Sequence, residues 1–166
     1  VNLEISMPRS KSVVKRAPVA DPVYNNRLVG KLINKTMRDG KKAPASKQIY
    51  ATLDMLKTKF PDQEPVKVLE QALGAVAPKM EVRSRRVGGA SYQVPTEVRG
   101  DRKMHLAMRW VIDGARARSN KEYHTFAEKL AAELVDILNN TGNAIKKRDQ
   151  MQKMAEANRA FAHLKW

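Results

Sequence analysis

The glycine pair Gly88-Gly89, set between two β-prone segments, is the feature that most limits how this chain of 166 residues can fold. Two consecutive glycines supply the positive φ angles that a two-residue β-hairpin turn requires. Residues 80–87 before the pair and residues 90–98 after it both have a strand-like composition. The sequence therefore predicts a two-stranded antiparallel ribbon at about residues 79–98.

A two-residue loop also determines the register of the ribbon, because Val87 and Ala90 must close it. The further pairs predicted on this register are Arg86/Ser91, Arg85/Tyr92, Ser84/Gln93, Arg83/Val94 and Val82/Pro95. Arginines near the tip then point to both sides of the ribbon, so that neither face is apolar there. Because an isolated two-stranded ribbon is only marginally stable in water, we expect an anionic partner to hold it. The alternative is an ordinary solvated hairpin.

The charge of the chain indicates the class of partner. Lysine and arginine total 32 against 17 acidic residues, which gives a formal net charge of +15. Such an excess opposes a compact fold unless a polyanion neutralises it, and nucleic acid is the commonest polyanion. The absence of cysteine excludes disulfides, thiolate metal sites and cysteine catalysis, and it suits the reducing cytoplasm or an organelle matrix. No apolar run approaches membrane-spanning length, so no membrane partner is expected.

Apolar spacing predicts a mainly α fold, a six-helix bundle-like domain from which the β-ribbon protrudes between helices three and four. The helices are expected at about residues 21–38, 45–59, 65–77, 101–118, 122–139 and 144–160. Asp21 and Asp101 are expected to cap the first and the fourth helix. Trp110 is assigned to the core, whereas the acids of helix five are expected to face solvent. The hydrophobic residues 161–166 are expected to dock on a surface.

Basic residues are unevenly distributed among these helices. Those that share a helix face or a helix start are Arg27, Lys31, Lys35 and Arg38 on helix one, continued by Lys41 and Lys42; Arg102, Arg109 and Arg116 on helix four; and Lys146, Lys147 and Arg148 on helix six. Helices two, three and five are nearly neutral or acidic and are interpreted as scaffold. The three bases that open helix six oppose its dipole, so they are either a phosphate-binding group or a solvated basic run.

Residues 1–20 are predicted to form a flexible basic N-terminal arm. Its basic side chains include those of Arg9, Lys11, Lys15 and Arg16. An organellar transit peptide is the alternative, but Pro8 and Pro18 disfavour the amphipathic helix that such peptides need. Met7 has the context of a natural start, so residues 1–6 are either additional residues or a misplaced start.

Several separate basic elements predict a large folded polyanion. RNA fits a long two-sided ribbon with an arm better than one DNA groove does. A free-standing helical RNA- or DNA-binding regulator is the main alternative.

Catalysis has little support, because His105, His124 and His163 are scattered and no metal-spaced cluster, phosphate-loop glycine pattern or nucleophile elbow is present. An RNA-processing enzyme would need acids such as Asp113 and Asp136 to meet in space, and no metal or cofactor is expected.

Four segments, taken in order, resemble the bacterial and organellar type of the small-subunit ribosomal protein seven family. They are residues 21–42, VRSRRVGG with YQVP within residues 82–95, LAMRW at residues 106–110 and MAEANRAFAH at residues 154–163. The ribbon and the last segment are the most specific. The resemblance runs from about residue 7 to residue 166 and implies the same six-helix domain with a protruding ribbon, in which residues 21–166 form a single rRNA-binding domain.

The resemblance implies a structural constituent of the small ribosomal subunit and not an enzyme. Such a protein binds the 3′ major domain of small-subunit rRNA and starts assembly of the subunit head. It lies near the mRNA exit path, the exit-site tRNA and neighbouring ribosomal proteins of the head and platform. Its place would be the ribosome of the cytoplasm, with a plastid or mitochondrial ribosome as the alternative.

The resemblance also assigns roles to the basic residues. The positions that it implies for rRNA binding are Arg9, Lys11, Lys15, Arg16, Arg27, Lys31, Lys35, Arg38, Lys41, Lys42, Arg83, Arg102, Arg109, Arg116, Lys146, Lys147 and Arg148. The ribbon tip nearest the tRNA and mRNA comprises Arg85, Arg86, Gly88, Gly89, Ser91 and Tyr92.

Overall fold

The computed structural model describes residues 18–164, and over these residues the chain is mainly helical. In chain order the elements are α1 (Arg27–Thr36), α2 (Lys42–Lys59), α3 (Pro65–Val76), β1 (Met80–Val87), β2 (Ala90–Glu97), α4 (Gly100–Arg116), α5 (Phe126–Leu138), α6 (Asn143–Ala157) and a terminal 3₁₀ helix (Arg159–Leu164). The two strands pair antiparallel between α3 and α4. The predicted fold class is thereby confirmed.

A hydrophobic core around α3 holds the helices together. This helix contacts α2, α4, α5 and α6, and its Leu69 and Leu73 have no exposed surface. Val111 of α4 and Leu134 of α5 are equally buried against it. Burial of one such side chain stabilises the fold by about 1.5–3 kcal/mol. Trp110 is only 7% exposed, which confirms its assignment to the core.

Helix α1 begins at Arg27, so the prediction that Asp21 caps it is wrong. Asn25 has a φ of 47°, a left-handed conformation that a right-handed helix cannot include. Asp21 instead caps a turn, because its Oδ2 accepts the backbone N–H groups two and three residues further on, each at 3.1 Å. The cap of α1 is Asn26, whose Oδ1 accepts the N–H of Leu28 at 2.7 Å.

The turn at Asp21 is fastened to α2. The hydroxyl of Tyr50 donates to Oδ1 of Asp21 at 2.7 Å. Because the phenol donates its proton to a carboxylate, this hydrogen bond, aided by burial, raises the pKa of Tyr50 to about 12. The contact fixes the path by which the chain enters α1.

Three further helix starts differ from prediction, and the first is that of α2, which begins at Lys42, three residues earlier than expected. Asp101 lies in the first turn of α4, and the N-cap position belongs to Arg99, which makes no capping hydrogen bond through its side chain. Helix α5 begins at Phe126, later than predicted. Thr125 and Glu128 form a capping box there, in which Oγ1 of Thr125 accepts the N–H of Glu128 at 3.2 Å and Oε2 of Glu128 accepts the N–H of Thr125 at 3.3 Å. The Thr-x-x-Glu spacing is the sequence signal that locates this start.

The register of the ribbon is confirmed for every predicted pair, from Val87/Ala90 to Val82/Pro95. Gly88 and Gly89 have φ angles of +57° and +88°. A type I′ turn requires positive φ at both central positions, and side chains with a Cβ rarely adopt it. The turn therefore has the geometry that the glycine pair predicts.

The root of the ribbon is held by the protein itself, so an anionic partner is not needed to stabilise that part. Val94 and Thr96 are buried, and α6 and the 3₁₀ helix pack against the strands. The rings of Tyr92 and Phe161 contact each other, with 5.3 Å between their centroids. The predicted docking of the hydrophobic C-terminal segment is confirmed as far as residue 164, while residues 165 and 166 lie outside the described residues.

Candidate nucleic-acid interface

Helices α1 and α4 place their basic side chains on one surface. The Nζ of Lys31 lies 3.2 Å from Oδ1 of Asp101, and the Nζ of Lys35 lies 3.2 Å from Nε2 of His105. The lysines are four residues apart, as are their partners, so the contact repeats after about one helical turn. We call this surface the α1–α4 basic face. Its basic members are Arg27, Lys31, Lys35, Arg102 and Arg109.

Two ion pairs on the α1–α4 basic face are exposed. The side chains of Lys31 and Asp101 are 39% and 74% exposed. Arg109 and Asp113 lie 3.6 Å apart, and both are more than half exposed. Exposed pairs of this kind contribute about 0–1 kcal/mol to stability. A phosphate can therefore replace either carboxylate at little cost to the fold.

The electrostatic environment of His105 shows how positive this face is. Partial burial lowers its pKa, and the positive charges of Lys35, Arg102 and Arg109 lower it further. Three cations thus act on one imidazole, which disfavours a further positive charge there. The same potential attracts an anion.

The C-terminal end of α1 carries further positive charge. The Nη2 of Arg116 donates to the carbonyl oxygen of Thr36 at 3.1 Å, which satisfies a group that the end of a helix leaves without a partner. Burial lowers the pKa of Arg116, and nearby Arg38 lowers it further. Arg38, Lys41 and Arg116 line a cavity of about 350 Å³ here, and Lys42 is exposed at the start of α2. Arg116 thus both fastens α4 to α1 and adds charge to the surface.

A buried acid at the root of the ribbon organises two of the predicted binding residues. Glu81 is 4% exposed, and its Oε1 accepts from Nε of Arg83 at 2.6 Å. Its Oε2 accepts from Nε and Nη2 of Arg102, each at 3.1 Å. Glu81 therefore links β1 to α4. This residue was not predicted from the sequence, although its position two residues before Arg83 places both on one face of the strand.

The two faces of the ribbon tip have different surroundings. Arg86 lies opposite Ser91, and both residues are exposed. Arg85 lies opposite Tyr92, whose ring contacts Phe161, and both are half-buried. Successive residues of a strand point to opposite faces, so the predicted two-sided display of arginine is present. One side is open to solvent, while the other adjoins the 3₁₀ helix.

The three basic residues at the start of α6 do not act as one group. Lys146 and Lys147 are exposed. Arg148 is half-buried, and its Nη1 donates to the carbonyl oxygen of Ala75 at 2.8 Å, at the end of α3. The two lysines are thus presented to solvent, whereas Arg148 joins α6 to α3.

The prediction that the acids of helix five face solvent is wrong for Glu133, which has no exposed surface. Its Oε1 accepts the N–H of Ala144 at 2.9 Å, and its Oε2 accepts from Nε of Arg118 at 2.8 Å. Arg118 also pairs with Asp136. A carboxylate therefore already occupies the N-terminus of α6, where the helix dipole favours negative charge. The bases at this end therefore lie beside a helix dipole that Glu133 already compensates.

The remaining predicted contacts involve the N-terminal arm. Arg9, Lys11, Lys15 and Arg16 lie outside the described residues, and their contacts with RNA stay predictions. The structure does bring the basic residues of α1 and α4 together, and it connects them to the ribbon through Glu81 and Arg102.

Within residues 18–164, no group of three or more His, Asp or Glu side chains is placed to hold a metal ion. None of the helices described is long and apolar enough to cross a membrane.

Comparison with known proteins covers almost the whole chain. A sequence model of the family described as Ribosomal protein S7p/S5e matches residues 8–159. Relatives named "Small ribosomal subunit protein uS7" are 53% identical in Caldicellulosiruptor bescii, 54% in Moorella thermoacetica and 51% in Anaeromyxobacter. Each comparison spans 160 residues, 96% of this chain and 100% of the relative. The α1–α4 basic face, the ribbon and the buried acids all lie within the matched range, and the chain belongs to the ribosomal protein S7p/S5e family.

Proposed function

We propose that this protein is a structural constituent of the small ribosomal subunit that binds the 3′ major domain of small-subunit rRNA and starts assembly of the subunit head. Membership of the family makes it a non-enzymatic ribosomal protein, so the RNA-processing enzyme considered from the sequence is rejected. The name of its bacterial relatives assigns them to the small subunit, and the proposal extends that assignment to this chain in the bacterial cytoplasm.

The α1–α4 basic face is the observation that carries the proposal. Two packed helices present a row of cations, and the carboxylate partners of Lys31 and Arg109 in this row are exposed and weakly held. The Glu81–Arg102 link joins the root of the ribbon to α4, which carries part of this face. A broad surface with a projection suits the irregular tertiary surface of a folded RNA, whereas a groove-reading protein presents one helix or a single β-ribbon to DNA.

We assign different partners to different basic elements. The α1–α4 basic face, the N-terminal arm and the exposed Lys146 and Lys147 contact rRNA. The ribbon tip, from Arg85 to Tyr92, lies towards the exit-site tRNA, the mRNA exit path and a neighbouring platform protein. The exposed turn and the exposed Arg86 support this division, because these residues are accessible to a partner outside the helical core.

Binding to a folded fragment of the 3′ major domain tests the proposal. Each phosphate contact contributes ~0.7–0.9 to the slope of log K against log salt. If the protein contacts about 8–12 phosphates, the slope should therefore be steeper than about −5. The purified protein should prefer this fragment to duplex DNA and to an unrelated structured RNA at the same salt concentration. Equal affinity for all three would favour a free-standing nucleic-acid-binding regulator. A second readout is sedimentation of the protein with small subunits from a lysate.

A further inference from the structure

A cavity at the root of the ribbon contains cations that the α1–α4 basic face does not include. It has a volume of about 310 Å³ and lies where the end of α3, the start of β1, α4 and α6 meet. Its polar lining consists of the side chains of Lys79, Lys103, Arg148 and Gln152. The loop before β1, α4 and α6 thus each contribute one cation to this small space, and none of the described residues that line it is acidic.

The two lysines differ from the arginine in what they already contact. Arg148 is engaged, because it donates to the carbonyl oxygen of Ala75 and pairs with Asp149 at 2.7 Å. Within the part of the chain that the structure describes, the side chains of Lys79 and Lys103 form neither a hydrogen bond nor an ion pair. Both ammonium groups are therefore available to a ligand.

The nearby end of α3 does not account for the lysines. Carbonyl groups at a helix C-terminus attract cations. Here the carbonyl of Ala75 accepts from Arg148, and that of Gly74 accepts the N–H of Ala77 at 3.3 Å. With these carbonyls already satisfied, the cavity brings two ammonium groups and a guanidinium together, and their mutual repulsion favours an anion between them.

We propose that this cavity binds one backbone phosphate of RNA. Lys79 and Lys103 contact the phosphate oxygens, and Arg148 is a positioning residue that holds α6 against α3. Lysine suits this task because its ammonium recognises phosphate as a compact point charge. The inference rests on the proposed function and adds to it a phosphate contact at the base of the ribbon, apart from the α1–α4 basic face.

The double variant Lys79→Gln with Lys103→Gln tests the cavity in the full chain. Loss of one phosphate contact should reduce the slope of log K against log salt by about 0.7–0.9 for the 3′-domain fragment, which corresponds to about sixfold weaker binding at ~0.1 M salt. The matched control is Lys57→Gln with Lys59→Gln, which removes the same charge from exposed positions on α2. The control should change affinity less than about twofold. Equal effects of the two variants on affinity and slope would overturn the proposal.

Titration with inorganic phosphate separates this inference from the proposed function. Saturable NMR shifts should occur at Lys79 and Lys103 and be lost in their double variant, whose thermal unfolding should match the parent. Shifts spread equally over Lys57 and Lys59 would contradict the cavity site. If the parent fails to prefer the rRNA fragment, the proposed function fails. The phosphate titration still shows whether the cavity binds phosphate. If the parent binds and the cavity variant behaves like the control, only the cavity proposal fails.

Discussion

Arg109 and Arg118 both pair with carboxylates, but in different surroundings. On the α1–α4 basic face, Arg109 and Asp113 are 63% and 57% exposed and lie 3.6 Å apart. Arg118, which follows α4, is 14% exposed. It pairs at 2.7 Å with Glu133 of α5, which has no exposed side-chain surface. Burial lowers the pKa of Arg118, but hydrogen bonds to Asp136 and Glu133 outweigh that effect and raise it.

The difference separates charges that build the fold from charges that can bind a partner. An exposed pair can exchange one partner for another, because water solvates either ion when it is released. A buried pair has no such freedom, since removing one member leaves the other desolvated and without compensation. The number of basic residues therefore overestimates how many side chains can bind a partner, unless the buried residues are left out of the count.

The largest effect that we predict is on Arg118. Arg118→Ala leaves the buried Glu133 carboxylate without its partner and should lower the free energy of unfolding by about 3–5 kcal/mol. Arg109→Ala is the matched control and should cost less than about 1 kcal/mol. Urea unfolding of both variants measures the difference. Similar losses in the two variants would remove the distinction between buried and exposed pairs.

The opposite pattern is expected for the lysines of α1. Lys31→Ala with Lys35→Ala should leave melting nearly unchanged, since these are partly exposed pairs. Removal of two phosphate contacts should lower the salt slope of rRNA binding by about 1.4–1.8. Leu130→Ala provides the contrasting control, because a buried cavity should cost roughly 2–5 kcal/mol of stability. A lysine variant that melts early would show that α1 uses these side chains for folding.

Two variants of the ribbon tip sharpen the comparison between core and projection. Gly88→Val with Gly89→Val should disrupt the turn, because β-branched residues resist positive φ. Arg85→Ala with Arg86→Ala should keep the turn and remove two positive charges from the tip. Both should melt like the parent and bind the isolated rRNA domain, while subunits that carry them retain exit-site tRNA abnormally. Loss of binding to the isolated domain in either variant would make the tip a primary rRNA anchor.

The smallest expected effect concerns His105. Its pKa in the folded protein is lowered from 6.5, so the unfolded chain binds more protons as pH falls below that value. The stability that the neutral imidazole contributes is therefore present above about pH 6.5 and is lost as pH falls towards the folded-state pKa. His105→Gln should reduce the difference in urea midpoint between about pH 7.5 and 5.5, with His124→Gln as the control. Parallel pH profiles for the parent and His105→Gln would contradict this.

Features that depend on neighbouring residues could be predicted from the sequence. The glycine pair and the two-residue period of a strand leave one register for the ribbon, and all of its predicted pairs are present. The apolar stripes of α2 and α3 were equally predictable from helical periodicity. The start of α1 could not be predicted in this way, because Asp21 and Asn26 are both favourable N-cap residues. The left-handed backbone of Asn25 ends any helix that starts at Asp21, so the helix starts after Asn26.

The sequence by itself determined the ribbon, the number and order of the helices and the basic faces of α1 and α4, because turn chemistry and periodicity act over a few residues. Only the tertiary structure decided which charges are bound inside the protein. Glu81 meets Arg102, 21 residues away, and Glu133 meets Arg118, 15 residues away, because helix packing brings them together. No local pattern distinguishes Glu133 from a solvated acid, since its burial depends on where α4 and α6 lie against α5.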